Sequence, residues 1–288
     1  YDSNQSAKVY AYMIDSGFKD SSNNALYNLY IASPLKIQAP VNSQGMFYAA
    51  KNIVAFNFND HFDTSKVENI RGFFQNCSSL EYLDVSSFDT SSATTMMYLF
   101  AGTSIKNLDL KSFDTSKVTS MYAMFWKCKN LESVDLSTLD TTKVENFSFM
   151  FNECPKLTTT ITIRTTVSTI YYASMFTNTA TEAGSKVTVN YSSGLYSKAS
   201  SMVATKTSGA NVVLGGVDNS TIGEALPAMM KNGYTVKSSG SYSLSYFWQY
   251  KDYIRNINIK DNLTNKPNNC TESTKCWDIS YASNQSAK

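Results

Sequence analysis

Histidine-based chemistry has one side chain to work with, because His61 is the only histidine in the 288 residues. Every Ser/His/Asp, Cys/His or imidazole–metal arrangement would have to pass through it. His61 lies beside the first turn of a repeat and reads as a surface or turn residue. No G-x-S-x-G, Walker A, G-x-G-x-x-G or H-E-x-x-H pattern occurs. Carboxylates are better placed. Asp63, Asp89, Asp114 and Asp140 form one column, and Asp84, Asp109 and Asp135 form another, with Asn57 in line with the second. Paired carboxylates are the machinery of glycoside hydrolysis, and oxygen ligands on adjacent turns suit calcium. An active site is normally unique, whereas these columns recur turn after turn, and no Gly-rich calcium-binding nonapeptide accompanies them. The reading adopted is that each Asp accepts a backbone N–H at a turn. It assigns no catalytic residue, no metal and no cofactor, and expects a protein that is not an enzyme.

Binding is better served by aromatic residues that break a column. Trp126 follows Phe125 where other turns carry Gln75, Ala101, Asn152 and Thr177, and Tyr98, Tyr122 and Tyr171 also depart from their neighbours. These four are the candidate ligand-binding residues. Ordinary packing over adjacent turns is the alternative.

The columns exist because the sequence repeats. FDTSKV at 62–67 returns as FDTSSA at 88–93, FDTSKV at 113–118 and LDTTKV at 139–144. Phe73-Phe74, Leu99-Phe100, Met124-Phe125, Met150-Phe151 and Met175-Phe176 keep the same clock, with Met46-Phe47 one slightly longer step earlier. A period of about 25 lies in the leucine-rich-repeat range, in which each turn gives one short strand and a return. LEYLDV at 80–85, IKNLDL at 105–110 and LESVDL at 131–136 place apolar residues at equivalent positions of that strand. Val118, Met121 and Phe125 fall at i, i+3 and i+7, and Val144, Phe147 and Phe151 repeat this, which predicts a one-turn helical return. Ser65 before Glu68 and Thr142 before Glu145 have capping-box spacing. The fold expected is a β-rich, leucine-rich-repeat-like solenoid, a parallel sheet with one-turn helical returns, plus a small α/β tail element.

Composition agrees. Lys+Arg 25 against Asp+Glu 23 leaves a formal charge of +2 without a basic run, so nucleic acid has no electrostatic footprint here. No stretch approaches the length of a membrane span, and YDSNQSAK lacks the basic and apolar regions of a signal peptide, so no membrane insertion is expected of this segment. Cys77, Cys128 and Cys154 each follow the repeat's Phe by three residues, where Thr103 and Thr179 stand in other turns, and read as small buried residues. Cys270 and Cys276 flank the polar loop TESTK, and a disulfide between them is the preferred reading, in keeping with an oxidising compartment.

LEYLDVSSFDTSSATTMMYLF at 80–100 and LESVDLSTLDTTKVENFSFMFNEC at 131–154 resemble the BspA-like leucine-rich-repeat surface proteins of bacteria. The resemblance covers 46–180 and extends toward 216 through KVTVNYSS, SKASSMVATK and NVVLGG, a strand–helix–strand closure. It departs at IVAFNFNDH and at ITIRTTVSTIYYASMF, which look like end turns. The resemblance implies an extracellular protein of the bacterial cell surface, an adhesin whose partners are protein or glycan ligands on host or microbial surfaces. It carries over no catalytic residue.

The first eight residues, YDSNQSAK, are nearly reproduced by the last eight, YASNQSAK. A unit of a tandem array would leave that mark, as would circular permutation or engineering. The organisation expected is an N-terminal β segment or cap at 1–45, solenoid repeats at 46–180 and a C-terminal cap at 181–216. A linker at 217–242 follows, with a helical stretch at Thr221–Lys231. An aromatic-rich segment with the disulfide loop, at 243–288, would pair with residues 1–31 of a neighbouring unit. The alternative function is therefore a structural subunit of an extracellular filament or array, with its own copies end to end as partners.

Overall fold

The computed structural model describes residues 10–33, 36–218, 254–261 and 276–278. Its body is a parallel β-solenoid with little helix. Each turn contributes one strand, namely β4 (Ala55–Asn57), β6 (Tyr82–Leu83), β7 (Asn107–Asp109), β8 (Ser133–Asp135), β9 (Thr158–Ile163), β10 (Lys186–Tyr191) and β11 (Val212–Val217). Alternation sets the faces: Leu108 and Val134 point into the core, while Asn107, Asp109 and Ser133 face out. A second ladder of parallel bridges, Asn42, Asn69, Thr95, Ser120, Asn146 and Tyr171, runs up the other side. Strand, helix and strand follow one another at the C-terminal end, where α1 (Tyr196–Val203) packs on β10 and β11.

Between the two ladders lies the apolar spine. Phe47, Phe74, Phe100, Phe125, Phe151 and Phe176 stack ring on ring with centroids 5.6–5.9 Å apart and planes within 16° of parallel. That spacing is the offset stack that aromatic quadrupoles favour. Thr64, Thr90, Thr115 and Thr141 form a buried polar column beside it. Thr64 Oγ1 donates to the Asp89 carbonyl at 2.9 Å and accepts from its N–H at 2.8 Å, and Thr115 treats Asp140 in the same way at 2.9 and 2.7 Å. One hydroxyl thus satisfies two backbone groups of the following turn.

Both Asp columns do what the sequence reading assigns to them. Asp63, Asp89, Asp114 and Asp140 each accept the N–H two residues on at 2.8–2.9 Å, and Asp84, Asp109 and Asp135 do so at 2.9–3.0 Å.

The returns depart from the expected helical turn. In the third turn Tyr98, Phe100 and Gly102 donate their N–H groups to Tyr122, Met124 and Trp126 of the next turn at 2.7–3.0 Å. The intervening Leu99, Ala101 and Thr103 bond three residues back instead. Residues with positive φ, Tyr98 at 57° and Gly102 at 69°, separate these tight turns. A helix would spend all its amides inside the segment, whereas this chain gives alternate ones to its neighbour. Val118, Met121 and Phe125 still reach the core, because kinked turns bring the same spacing inward. In place of the capping boxes, Asp63 and Asp140 receive the N–H groups of Ser65 and Thr142.

Cys77, Cys128 and Cys154 are buried and donate to the carbonyls of Phe47, Phe100 and Phe125 at 3.0–3.1 Å; Thr179 makes the equivalent bond to Phe151 at 2.7 Å. Burial pushes the Cys77 thiol up to about 12 and Cys154 well above the ordinary thiol range. At about pH 8, where an ordinary free thiol is partly ionised, Cys77 and Cys154 will resist a thiol-specific reagent until the chain unfolds. An unfolded chain releases the Cys77 proton near 9 and the folded chain only near 12, so stability is whole below 9 and falls as pH rises across that window. Denaturation midpoints across that range check the sign.

Ahead of the solenoid, β1 (Tyr10–Lys19) and β2 (Ala25–Ser33) form an antiparallel hairpin, and β3 (Ile37–Gln38) pairs with β5 (Phe62–Asp63). Two tail strands join this end: β12 (Ile254–Asp261) runs parallel to β2 and β4, and β13 (Cys276–Asp278) runs antiparallel to β1. The segments assigned by sequence to neighbouring units thus lie side by side within one chain. Cys270, the Thr221–Lys231 stretch and most of the linker fall outside the described residues, so the Cys270–Cys276 disulfide does too.

Candidate functional site

Two surfaces of the solenoid carry enough chemistry to bind something. The first runs along the returns. Tyr98 and Tyr122 meet edge to face at 5.1 Å, Tyr98 and Trp126 at 6.2 Å, and Tyr122 continues to Phe149 at 5.7 Å. All four rings are half-buried. Cations close the row: the Arg71 guanidinium lies 5.6 Å from the Tyr98 ring centre and Lys127 Nζ lies 4.5 Å from that of Trp126. Trp126 is held in place, because its indole N–H donates to Asn152 Oδ1 at 3.2 Å while Asn152 Nδ2 donates to the Ser174 carbonyl. Burial and the neighbouring Tyr122 hydroxyl hold the Tyr98 phenol above its ordinary range.

Of the residues singled out by sequence, Tyr98, Tyr122 and Trp126 are brought together. Tyr171 is not: it is 59% exposed, its backbone bridges Asn146, and no ring contact among the described residues joins it to the other three. Phe149, Arg71 and Lys127 escaped the sequence reading. The signal for Phe149 was available, since its column otherwise holds Gly45, Gly72, Tyr98, Ala123 and Ser174, every one at positive φ. Tyr98 at 57° and Phe149 at 59° are the bulky exceptions. An aromatic side chain in that left-handed region is an uncommon and strained choice.

The second surface is a groove of about 1010 Å³ on the outer face of the sheet, lined by residues such as Asp84, Asn107, Asp109, Ser133, Asp135 and Arg164. Lys111 Nζ lies 3.3 Å from Asp135 and 3.8 Å from Asp109, which offsets repulsion within that Asp column. The Ser137 hydroxyl and amide, and then Lys111, hold the Asp135 carboxyl below its usual range. At the far end Arg164 Nη2 faces Asp218 Oδ2 at 3.5 Å, and Thr162 donates to the same oxygen at 3.0 Å. Lys111 and Arg164 thus pair with three of the four carboxylates that line the groove, and the lining keeps a net negative charge. Among the described residues no three carboxylate, thiol or imidazole groups converge as a metal site. His61 ends the short 3-10 turn Asn59–His61, away from either surface. No helix among the described residues is long and apolar enough to cross a membrane.

Comparison with protein families gives a match to the family described as Mycoplasma protein of unknown function, DUF285, over residues 41–164 and again over 83–193. The matched span is the solenoid itself, from the first bridge of the return ladder to the start of the cap. Comparison with curated proteins and with solved structures gives no significant match.

Proposed function

The chain belongs to the family described as Mycoplasma protein of unknown function, DUF285, and from that premise we propose a non-catalytic interaction module of the bacterial cell surface. It grips glycan or protein ligands of host or microbial surfaces through the aromatic row Tyr98, Tyr122, Trp126 and Phe149. The observation that carries this reading is the pair of aromatic residues in left-handed backbone, Tyr98 and Phe149, where the same column elsewhere holds Gly, Ala or Ser. Folding alone favours the small residues there. Strained positions kept bulky and half-exposed point to a role outside the fold.

The chemistry suits adhesion. Flat rings offer apolar faces to the C–H side of a sugar or to a peptide side chain, and Arg71 and Lys127 supply charge at the margins. The carboxylates of the two Asp columns are committed to turn amides, which supports a role without catalysis. The resemblance to BspA-like surface proteins supports an extracellular setting.

The test is a panel of immobilised glycans, matrix proteins and peptides probed with the full chain. Trp126→Ala should weaken the strongest interaction by about 30-fold, the size of loss seen when a central aromatic anchor is removed. Tyr98→Gly should weaken it as well while leaving the unfolding midpoint unchanged or higher, because glycine relieves the backbone. Wild-type binding by both variants would refute the assignment. Glycan turnover abolished by one carboxylate substitution would make the protein an enzyme instead.

A further inference from the structure

The two cations beside the aromatic row are not equivalent. Lys127 is answered by Glu153, with Nζ and Oε1 4.0 Å apart, whereas Arg71 makes no ion pair with a described carboxylate. Its exposed guanidinium also meets no hydrogen-bond acceptor among the described residues. Of the two arginines whose side chains are described, only Arg164 has a carboxylate partner, Asp218. The uncompensated positive charge of the row therefore sits at its Tyr98 end.

The fold presents this side chain deliberately. Arg71 is the one charged residue in a column that otherwise holds Gln44, Met97, Tyr122, Ser148 and Ala173. Its backbone is pinned on both sides: the N–H donates to Asn69 Oδ1 at 3.0 Å, and the carbonyl accepts from Gly45 of the preceding turn at 2.8 Å. The side chain reaches the following turn, where the guanidinium lies 5.6 Å from the centre of the Tyr98 ring. Gly72 leaves the way open, because it stands one turn before Tyr98 in the same column, at φ 59°, and has no side chain to cover the ring. Gln75 folds into that space instead, so that a Cβ on Gly72 would stand 2.8 Å from Gln75 Oε1.

A guanidinium held over an aromatic ring keeps a planar fork of N–H donors at its edge. That fork matches the two oxygens of a carboxylate, in a pair that is both charge-assisted and directional. Given that the row is the binding surface proposed above, we infer that its ligand is an acidic glycan: a pyranose lays its C–H face on Tyr98 and Trp126 while its own carboxylate is held by the Arg71 fork. An acidic peptide side chain could reach Arg71, but it has only a short methylene stem to lay on the neighbouring rings. An acidic sugar carries the apolar face and the carboxylate in one rigid unit, as the row requires. The Gln75 amide, beside the backbone that presents Arg71, is placed to bond sugar hydroxyls.

The test probes the full chain with glycans that carry uronic or sialic acid, each beside a copy whose carboxylates have been reduced to alcohols, and with acidic peptides. The wild-type protein should bind the best acidic glycan about tenfold more tightly than its reduced copy, the size of loss expected for one charge-assisted hydrogen-bonded partner. Added salt should narrow that gap. Arg71→Gln should bind the acidic glycan no better than the reduced one, so that the two losses do not add. Arg71→Lys should behave like Arg71→Gln, because it keeps the charge and loses the fork. Reduced glycans bound as well as acidic ones, an acidic peptide bound more tightly than any glycan, or full recovery by Arg71→Lys would each overturn the inference. The comparison of glycans on the wild-type protein needs no variant to fold. Trp126→Ala separates this inference from the reading it rests on: loss of both glycans by that variant, with no preference between them in the wild type, leaves the row a binding surface and removes only its acidic ligand.

Discussion

Phe125→Ala will cost about 3–5 kcal/mol of stability, the range for emptying a buried aromatic site, and chemical denaturation will show it as a lowered midpoint. Phe125 sits mid-spine, stacked at 5.6 Å on Phe100 below and at 5.6 Å on Phe151 above, and is inaccessible to solvent. Solenoid stability is approximately a sum of turn and neighbour terms, so one deletion here breaks two neighbour terms. Phe176, whose stack continues only to Phe151 at 5.8 Å, should lose less on the same substitution. A Phe125→Ala protein no weaker than Phe176→Ala would mean that the spine is not shared between turns.

Thr115→Val tests the polar column and should be more damaging than Thr115→Ser. Valine keeps the shape but abandons both the N–H and the carbonyl of Asp140, at about 1–3 kcal/mol for each orphaned group. Serine keeps the hydroxyl and loses one methyl, about 0.8 kcal/mol. At a site 2% exposed, hydrophobic transfer alone predicts the reverse order. Equal midpoints, or valine above serine, would show that the hydroxyl relay contributes little.

What the sequence revealed, and what it hid, follows from how each feature is written. The Phe stack, the strands and the Asp turns rest on one residue type repeated at one position, so periodicity exposes them. The returns were misread because i, i+3, i+7 spacing is satisfied both by a helix and by kinked turns. Glycine, the usual sign of left-handed backbone, is present at Gly45 and Gly72 but replaced by Tyr98, Ala123, Phe149 and Ser174 in the later turns of the column. Thr115 and its counterparts were visible within the FDTS signature, but a hydroxyl's partner one turn away leaves no mark of its own. The aromatic row was legible in Tyr98, Tyr122 and Trp126 because each breaks its column. Tyr171 breaks its column too, but on the bridge ladder, where it meets none of the others. The tail read as strand-like at IRNINI, and only the fold could place it between β2 and β4.

Amide hydrogen exchange along the returns tests the central claim, that each turn is bonded to the next through alternate amides of a kinked return. The N–H groups of Met96, Tyr98 and Phe100, of Met121, Ala123 and Phe125, and of Phe147, Phe149 and Phe151 all donate across turns. They should exchange slowly and lose protection together at the global transition. Rapid exchange at these amides, with protection confined to the short strands, would contradict the stacked-turn architecture.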